Sequence, residues 1–134
     1  MRRDKRGSVP IEFVLGMAFL VLPITLLVVQ IPQWLDRVHL AESTALESAR
    51  LCARASDLGS GQVVATQYAS SIPHVLSVTC FAPSGALDPG GAVQGRATVS
   101  VPAISVPLLG INTGPFALTR THAEPVDPYR SFGP

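Results

Sequence analysis

The chain has 134 residues and a net charge of +1, and only 14% of its residues are charged. It has no basic patch beyond its first six residues, which argues against nucleic acid as a partner. Apolar residues stay frequent along the whole chain, so we expect a folded domain rather than a disordered tail. About 100 residues follow the first apolar segment, enough for one small domain.

The first element is an uncharged segment from Phe13 to Ile31. As a helix it would be about 28 Å long, close to the thickness of the hydrocarbon core of a bilayer. Residues 1–6 carry four basic side chains and one acidic side chain, so the positive-inside rule places the N-terminus in the cytoplasm and the rest outside. A cleaved secretory signal is the alternative. It would need a small-x-small cleavage site soon after the apolar segment, and residues 28–34 contain none.

A second helical pattern follows the apolar segment. We predict that the helix continues beyond the membrane over residues 33–57, although Pro32 can interrupt it between the two parts, and that a short helix follows over residues 62–71. Gly59-Ser60-Gly61 is interpreted as the terminator of the first of these helices. Apolar and small residues recur every three or four positions along the long helix and form a stripe. This stripe indicates the face that packs against the rest of the domain. Its small members are Ala41, Ala45 and Ala49, and the stripe ends at Cys52.

The remainder of the chain has the alternating pattern of β-strands. We predict strands at about 74–81, 93–101 and 116–124, the last less clear because Arg120 and His122 interrupt its apolar face. The tail, residues 125–134, is predicted to be extended or frayed. The predicted fold is α+β, with a long N-terminal helix, transmembrane and then amphipathic, packed against a small antiparallel sheet.

The two cysteines lie on predicted inward faces, Cys52 on the helix and Cys80 on the first strand. Outside the cytoplasm a disulfide between them is chemically allowed, and we predict that bond. Two buried free thiols are the alternative.

No pattern of catalytic residues is visible. His39, His74 and His122 are dispersed, and none has a metal ligand three or four residues away. Glu124 and Asp127 could bind a cation, but acidic residues in a Pro-rich tail are usually solvated. We therefore expect no enzyme activity, no metal and no cofactor.

The N-terminus combines a basic leader, a Gly-Ser pair and a carboxylate at the edge of the apolar helix, which is an unusual combination. A basic leader ends at Gly7-Ser8, and Glu12 follows at the edge of the apolar helix, where a carboxylate costs about 3 kcal/mol if it enters the membrane. Residues 6–13, Arg-Gly-Ser-Val-Pro-Ile-Glu-Phe, resemble the processing site of type IV pilin-like proteins. More narrowly, they resemble the processing site of the TadE-like pseudopilins of the tight-adherence (Tad) pilus system. Pro10 departs from the usual residue, although proline is acceptable in a first helical turn.

The resemblance implies three parts. Residues 1–7 would be a leader removed between Gly7 and Ser8, residues 8–31 a single membrane span, and residues 32–134 a domain outside the inner membrane of a bacterial cell. Glu12 and Phe13 would set the register between subunits. Glu12 would pair with the new amine of a neighbouring Ser8. The alternative is that Glu12 only reaches the lipid headgroups.

The implied function is that of a minor pilin, a non-catalytic subunit in the assembly of a surface pilus. Its partners would be other pilin and pseudopilin subunits, a prepilin peptidase, the inner-membrane assembly platform and membrane lipid. The alternative function is a membrane-anchored extracytoplasmic binding or structural module unrelated to pili.

Overall fold

The structure, a computed structural model, describes residues 9–106 and 109–131. The fold is α+β, as predicted: one long N-terminal helix packs against a small antiparallel sheet. The elements in chain order are α1 (Val9–Arg54), α2 (Leu58–Ser70), β1 (Val75–Phe81), β2 (Ala92–Val101), β3 (Ser105–Val106), β4 (Ile111–Asn112) and β5 (Phe116–Pro125).

Helix α1 runs through 46 residues without a break, although Pro23 and Pro32 lie inside it. At 1.5 Å per residue it is about 69 Å long. A proline removes one helical hydrogen bond and crowds the preceding turn, yet apolar helices tolerate it when neighbouring side chains bond the helix carbonyls. Pro32 does not interrupt the helix, which continues from Val9 to Arg54.

The main sheet has the order β1-β2-β5, with both pairs antiparallel. The central strand β2 alternates buried and more exposed residues. Its buried side chains belong to Val93, Ala97, Val99 and Val101, and they form the core together with α1 and α2. The second sheet is the short β3–β4 pair, which lies beside the first half of α1.

The helix and the sheet approach each other most closely at Gly95. A Cβ atom added there would lie 2.5 Å from Ser48 Oγ and would overlap backbone atoms of Ala45 and Ala49 on α1. Small residues line the helix side of this contact: Ala41, Ala45 and Ala49 are at most 1% exposed. The predicted stripe is therefore the packing face of α1, and Gly95 is its partner on the sheet.

The start of α2 corrects one prediction. Gly59-Ser60-Gly61 does not terminate α1, because these residues form the first turn of α2. Asp57 is the N-cap residue, and its side chain accepts a 2.9 Å hydrogen bond from the amide of Ser60. Gly61 is needed for packing, since a Cβ atom there would lie 2.9 Å from Cys52 Cα. These glycines thus let α2 begin early and close on α1.

The described part of the tail is also more ordered than predicted. Val126 is 1% exposed, and its amide donates to the carbonyl of Gly91 over 2.8 Å. The guanidinium of Arg130 donates to the carbonyl of Ala53 over 2.9 Å, where the last turn of α1 leaves carbonyls without helical partners. Residues 126–130 are therefore held against the end of α1. Residues 132–134 lie outside the described part.

Candidate functional site

The first half of α1 is the largest apolar surface that the structure describes. The large apolar side chains between Ile11 and Leu35 are mostly exposed, Phe13 by 68% and Val14 by 65%. The consecutive residues from Phe19 to Leu22 are all exposed, and four residues complete a helical turn, so the apolar surface runs round the whole helix. The helix is long and apolar enough to cross a membrane, and none of its most apolar window is buried within the chain.

Glu12 lies in the first turn of α1 as the structure describes it. A carboxylate at a helix N-terminus is favoured by the partial positive charge of the unpaired amides there. Phe13 follows it and is exposed, and nothing lies within 4 Å of the position of a Cβ atom at Gly16. The surface at Phe13 and Gly16 is therefore accessible to a neighbouring molecule. The predicted processing site, Gly7 and Ser8, lies outside the described residues.

The second half of α1 joins the helix to the domain through a covalent bond. The predicted disulfide between Cys52 and Cys80 is present, with Cα atoms 6.4 Å apart and a sequence separation of 28. It connects the buried face of α1 to β1. The disulfide and the buried face therefore fix the second half of α1 to the domain.

The outer edge of β1 is covered by one side chain of α2. The Gln62 side-chain amide accepts a hydrogen bond from the amide of Cys80 over 2.6 Å and donates to the carbonyl of Val78 over 2.8 Å. It takes the place of a neighbouring strand and satisfies two backbone groups at the sheet edge. Exposed edges invite pairing with other chains, so this contact protects β1 from such pairing.

The face of β5 that turns toward α1 is charged. Arg120, His122 and Glu124 pair in register with Ala97, Gly95 and Val93 of β2, so they share the face that packs on the helix. Arg120 and His122 thus do not prevent the third strand.

Ion pairs connect this charged face to α1. Arg120 Nε lies 3.9 Å from Glu42 Oε1, and Arg50 Nε lies 3.8 Å from Glu124 Oε1. These side chains are substantially exposed, so each pair contributes at most about 1 kcal/mol. The pairing with β2, rather than these ion pairs, therefore holds β5 beside the helix.

A groove with a volume of about 640 Å³ lies between α1 and β5. It brings together His39 and His122, which the sequence analysis treated as dispersed, beside Glu42 and Arg120. His122 Nε2 also lies 3.7 Å from Glu124 Oε2. The described residues contain no group of three or more His, Cys, Asp or Glu side chains that could hold a metal ion.

Three comparisons were made, with protein-family models, with curated proteins and with solved structures. None of them finds a match to this chain. Any functional conclusion therefore depends on the sequence and geometry described above.

Sequence reasoning did not identify Gly95, Gln62 or Gln30 as structurally important. Gly95 had a signal, because a lone glycine in an alternating strand often marks a close backbone approach. Gln62 and Gln30 had no such signal. Each bonds to backbone that is distant in sequence, and no local pattern reveals such a contact.

Proposed function

We propose that this chain is a minor pilin-like subunit that takes part, without catalysis, in the assembly of a Tad-type surface pilus. One observation carries the proposal. A single uninterrupted helix exposes its apolar first half, has Glu12 in its first turn, and ends as the packed spine of an α+β domain.

The exposed half of α1 suits two successive environments. A helix that is apolar all round is stable in lipid or in a bundle of other helices, but not in water. A subunit stored in the bilayer can therefore move into a filament core without changing its surface. Because α1 is continuous and fixed to the domain, lateral packing of the first halves would also place the domains at regular positions outside.

Glu12 would give the bundle its register. Cleavage between Gly7 and Ser8 would leave a cationic amine one helical turn from Glu12, about 6 Å along the axis. Either charge alone is unfavourable among apolar helices, whereas the carboxylate of one subunit beside the amine of the next forms an ion pair. Only one vertical offset between neighbouring helices allows that pairing, so Glu12 would select it.

The proposed function implies where the subunit lies and which proteins it contacts. The subunit would lie in the inner membrane of a bacterial cell with its domain outside, before it enters a pilus. Its partners would be other pilin and pseudopilin subunits, a prepilin peptidase at the cytoplasmic face and the assembly platform in the membrane.

Glu12→Gln tests this function directly. The variant should enter the membrane as well as the parent, because it removes a charge from an apolar helix. It should appear in the sheared pilus fraction at a level reduced about tenfold, the effect of losing about 1.4 kcal/mol of pairing energy. Glu42→Gln is the matched control, since it makes the same change on the surface of the domain. Normal incorporation of Glu12→Gln, or its failure to insert, would contradict the pairing role.

A second function has one observation in its favour. The groove beside His39, Glu42 and Arg120 is large enough for a small polar ligand, as an anchored binding module would require. If cells lacking this chain form normal pili, and an intact leader stays on the purified protein, the binding module becomes the better interpretation.

A further inference from the structure

The β3–β4 pair lies at a level of α1 where a small extracytoplasmic domain would not be expected. It contacts α1 beside Leu27, Gln30 and Trp34, and Ile104, just before β3, lines the same contact. Leu27 precedes the end of the uncharged segment, Ile31, by four residues, or about 6 Å along the helix. If the uncharged segment crosses the bilayer, the β3–β4 pair reaches below the membrane surface.

Sequence composition matches this position. Residues 97–119 contain no Asp, Glu, Lys, Arg or His, whereas the second half of β5 carries Arg120, His122 and Glu124 and the tail beyond it carries Asp127 and Arg130. Leu109 and Ile111 are about half exposed, which in water would leave apolar surface without a partner. The charge-free side of the domain is the side that faces the membrane span.

Backbone hydrogen bonds near β3 are completed without water. The Gln30 side-chain amide accepts from the amide of Ser105 over 3.3 Å and donates to its carbonyl over 3.2 Å. Ile104 on the other side is bonded to Thr113, whose hydroxyl accepts from its amide and whose amide donates to its carbonyl, both over 3.1 Å. A backbone polar group left unsatisfied in hydrocarbon costs several kcal/mol, so this arrangement suits a partly dehydrated site.

An aromatic pair lies next to this contact, one helical turn beyond Gln30 along α1. Trp34 and Phe116 meet edge to face with ring centroids 5.8 Å apart. Trp is enriched at the level of the lipid headgroups, where its ring is partly apolar and its N–H remains hydrated. If the uncharged segment spans the bilayer, the Trp34–Phe116 pair would lie at the membrane surface and the β3–β4 pair on its lipid side.

We infer that the β3–β4 pair is a second membrane contact: Leu109 and Ile111 insert into the outer leaflet beside the membrane span, and Gln30 holds β3 in that position. The inference rests on the membrane anchoring in the proposed function but not on pilus assembly. The contact fixes the tilt and height of the domain above the bilayer. A subunit leaving the membrane would have to withdraw both the helix and this contact.

Lipid quenching of a single tryptophan tests the inference in the full-length chain. The parent has one Trp, so Trp34→Phe gives a background that keeps an aromatic ring opposite Phe116. Into this background we would introduce Leu109→Trp, or Phe81→Trp as a matched control. Phe81 is exposed to a similar degree, 59% against 50% for Leu109, and lies at the opposite end of the sheet. Each variant is reconstituted in phosphatidylcholine vesicles brominated near the top of the acyl chains.

The inference predicts that the brominated lipid quenches Leu109→Trp about twofold, as for side chains buried 5–10 Å into the interface, and leaves Phe81→Trp unchanged. Adding Gln30→Leu should reduce the quenching of Leu109→Trp, because it leaves the backbone of Ser105 without its partner. Gln33→Leu, one turn further along, is the control and should not reduce it. Unchanged quenching in Gln30→Leu would overturn the role of Gln30.

A third reporter separates the two proposals. Phe19→Trp lies in the middle of the uncharged segment and should be quenched by lipids brominated deep in the chain. If Phe19→Trp is quenched and Leu109→Trp is not, the β3–β4 contact is wrong and the membrane span stands. If neither is quenched, the membrane span fails, and the proposed function fails with it.

Discussion

Gly95→Ala should be the most damaging single-methyl change in the domain. The added Cβ atom would lie 2.5 Å from Ser48 Oγ and would overlap backbone atoms of Ala45 and Ala49. Carbon atoms in ordinary contact are about 3.5–4.0 Å from their neighbours. Backbone atoms in a helix cannot rotate away as a side chain can, so α1 and β2 would have to move apart by about 1 Å.

The magnitude follows from that separation. A gap of about 1 Å forfeits up to about half of the dispersion energy of the atoms facing it. Overpacking in protein cores typically costs about 1–3 kcal/mol, and two backbone contacts place Gly95→Ala at or above the upper end. For a domain of about 100 residues, 1 kcal/mol corresponds to about 4–8 °C in Tm, so we expect a decrease of about 12–24 °C.

Thermal unfolding of the full-length protein in a mild detergent, followed by near-UV circular dichroism, measures the effect. Gly16→Ala is the control, because it adds the same methyl group where nothing lies within 4 Å. It should leave Tm unchanged or slightly raised, since alanine favours a helix over glycine. If Gly95→Ala melts like the parent, α1 and β2 are not in contact at this position, and the packing described here is wrong.

Three further predictions concern the same domain. Ala45→Leu should lower the free energy of unfolding by about 1–3 kcal/mol in urea titrations, because its side chain has no room beside the sheet; an unchanged midpoint would mean that the stripe faces solvent. Non-reducing peptide mapping should recover Cys52 linked to Cys80, and reduction should cost about 3–4 kcal/mol of stability; recovery of both thiols free after rapid alkylation would refute the bond. The pKa of Asp57 is lowered, first by the hydrogen bond from the backbone amide of Ser60 and then by that from its hydroxyl. A carboxylate with a lowered folded-state pKa stabilises the fold above its unfolded pKa and loses that contribution as pH falls through the folded one. The stability advantage of the parent over Asp57→Asn should therefore vanish in acid, and an advantage that persists at the lowest pH would contradict the cap.

The sequence was informative wherever one face of an element decides its packing. Ala41, Ala45 and Ala49 recur at helical spacing, and such a stripe has to be buried whatever covers it. The same reasoning placed Cys52 and Cys80 on inward faces, and the predicted location outside the cytoplasm then favoured a bond between them over two free thiols. The α+β fold and the three main strands could be predicted for this reason.

Predictions failed where a tertiary contact outweighed local preference. Gly59 and Gly61 favour a helix end by propensity. Instead, α2 begins at these residues, because Asp57 caps its N-terminus and Gly61 lets it approach Cys52 closely. The tail has few helix or strand formers, yet one buried valine, Val126, and one guanidinium, that of Arg130, are enough to hold it. Such contacts join residues that are distant in sequence, and no local pattern encodes them.

Pilin-like processing of the N-terminus would leave the apolar helix on the mature subunit. Intact-mass and N-terminal peptide mass spectrometry of the protein isolated from its own cells tests this most directly. We expect a mature chain that begins at Ser8, with its amine free or N-methylated, and retains residues 9–31. A mature chain that begins at or beyond Gln30 would show a cleaved secretory signal and would contradict both the processing and the membrane span.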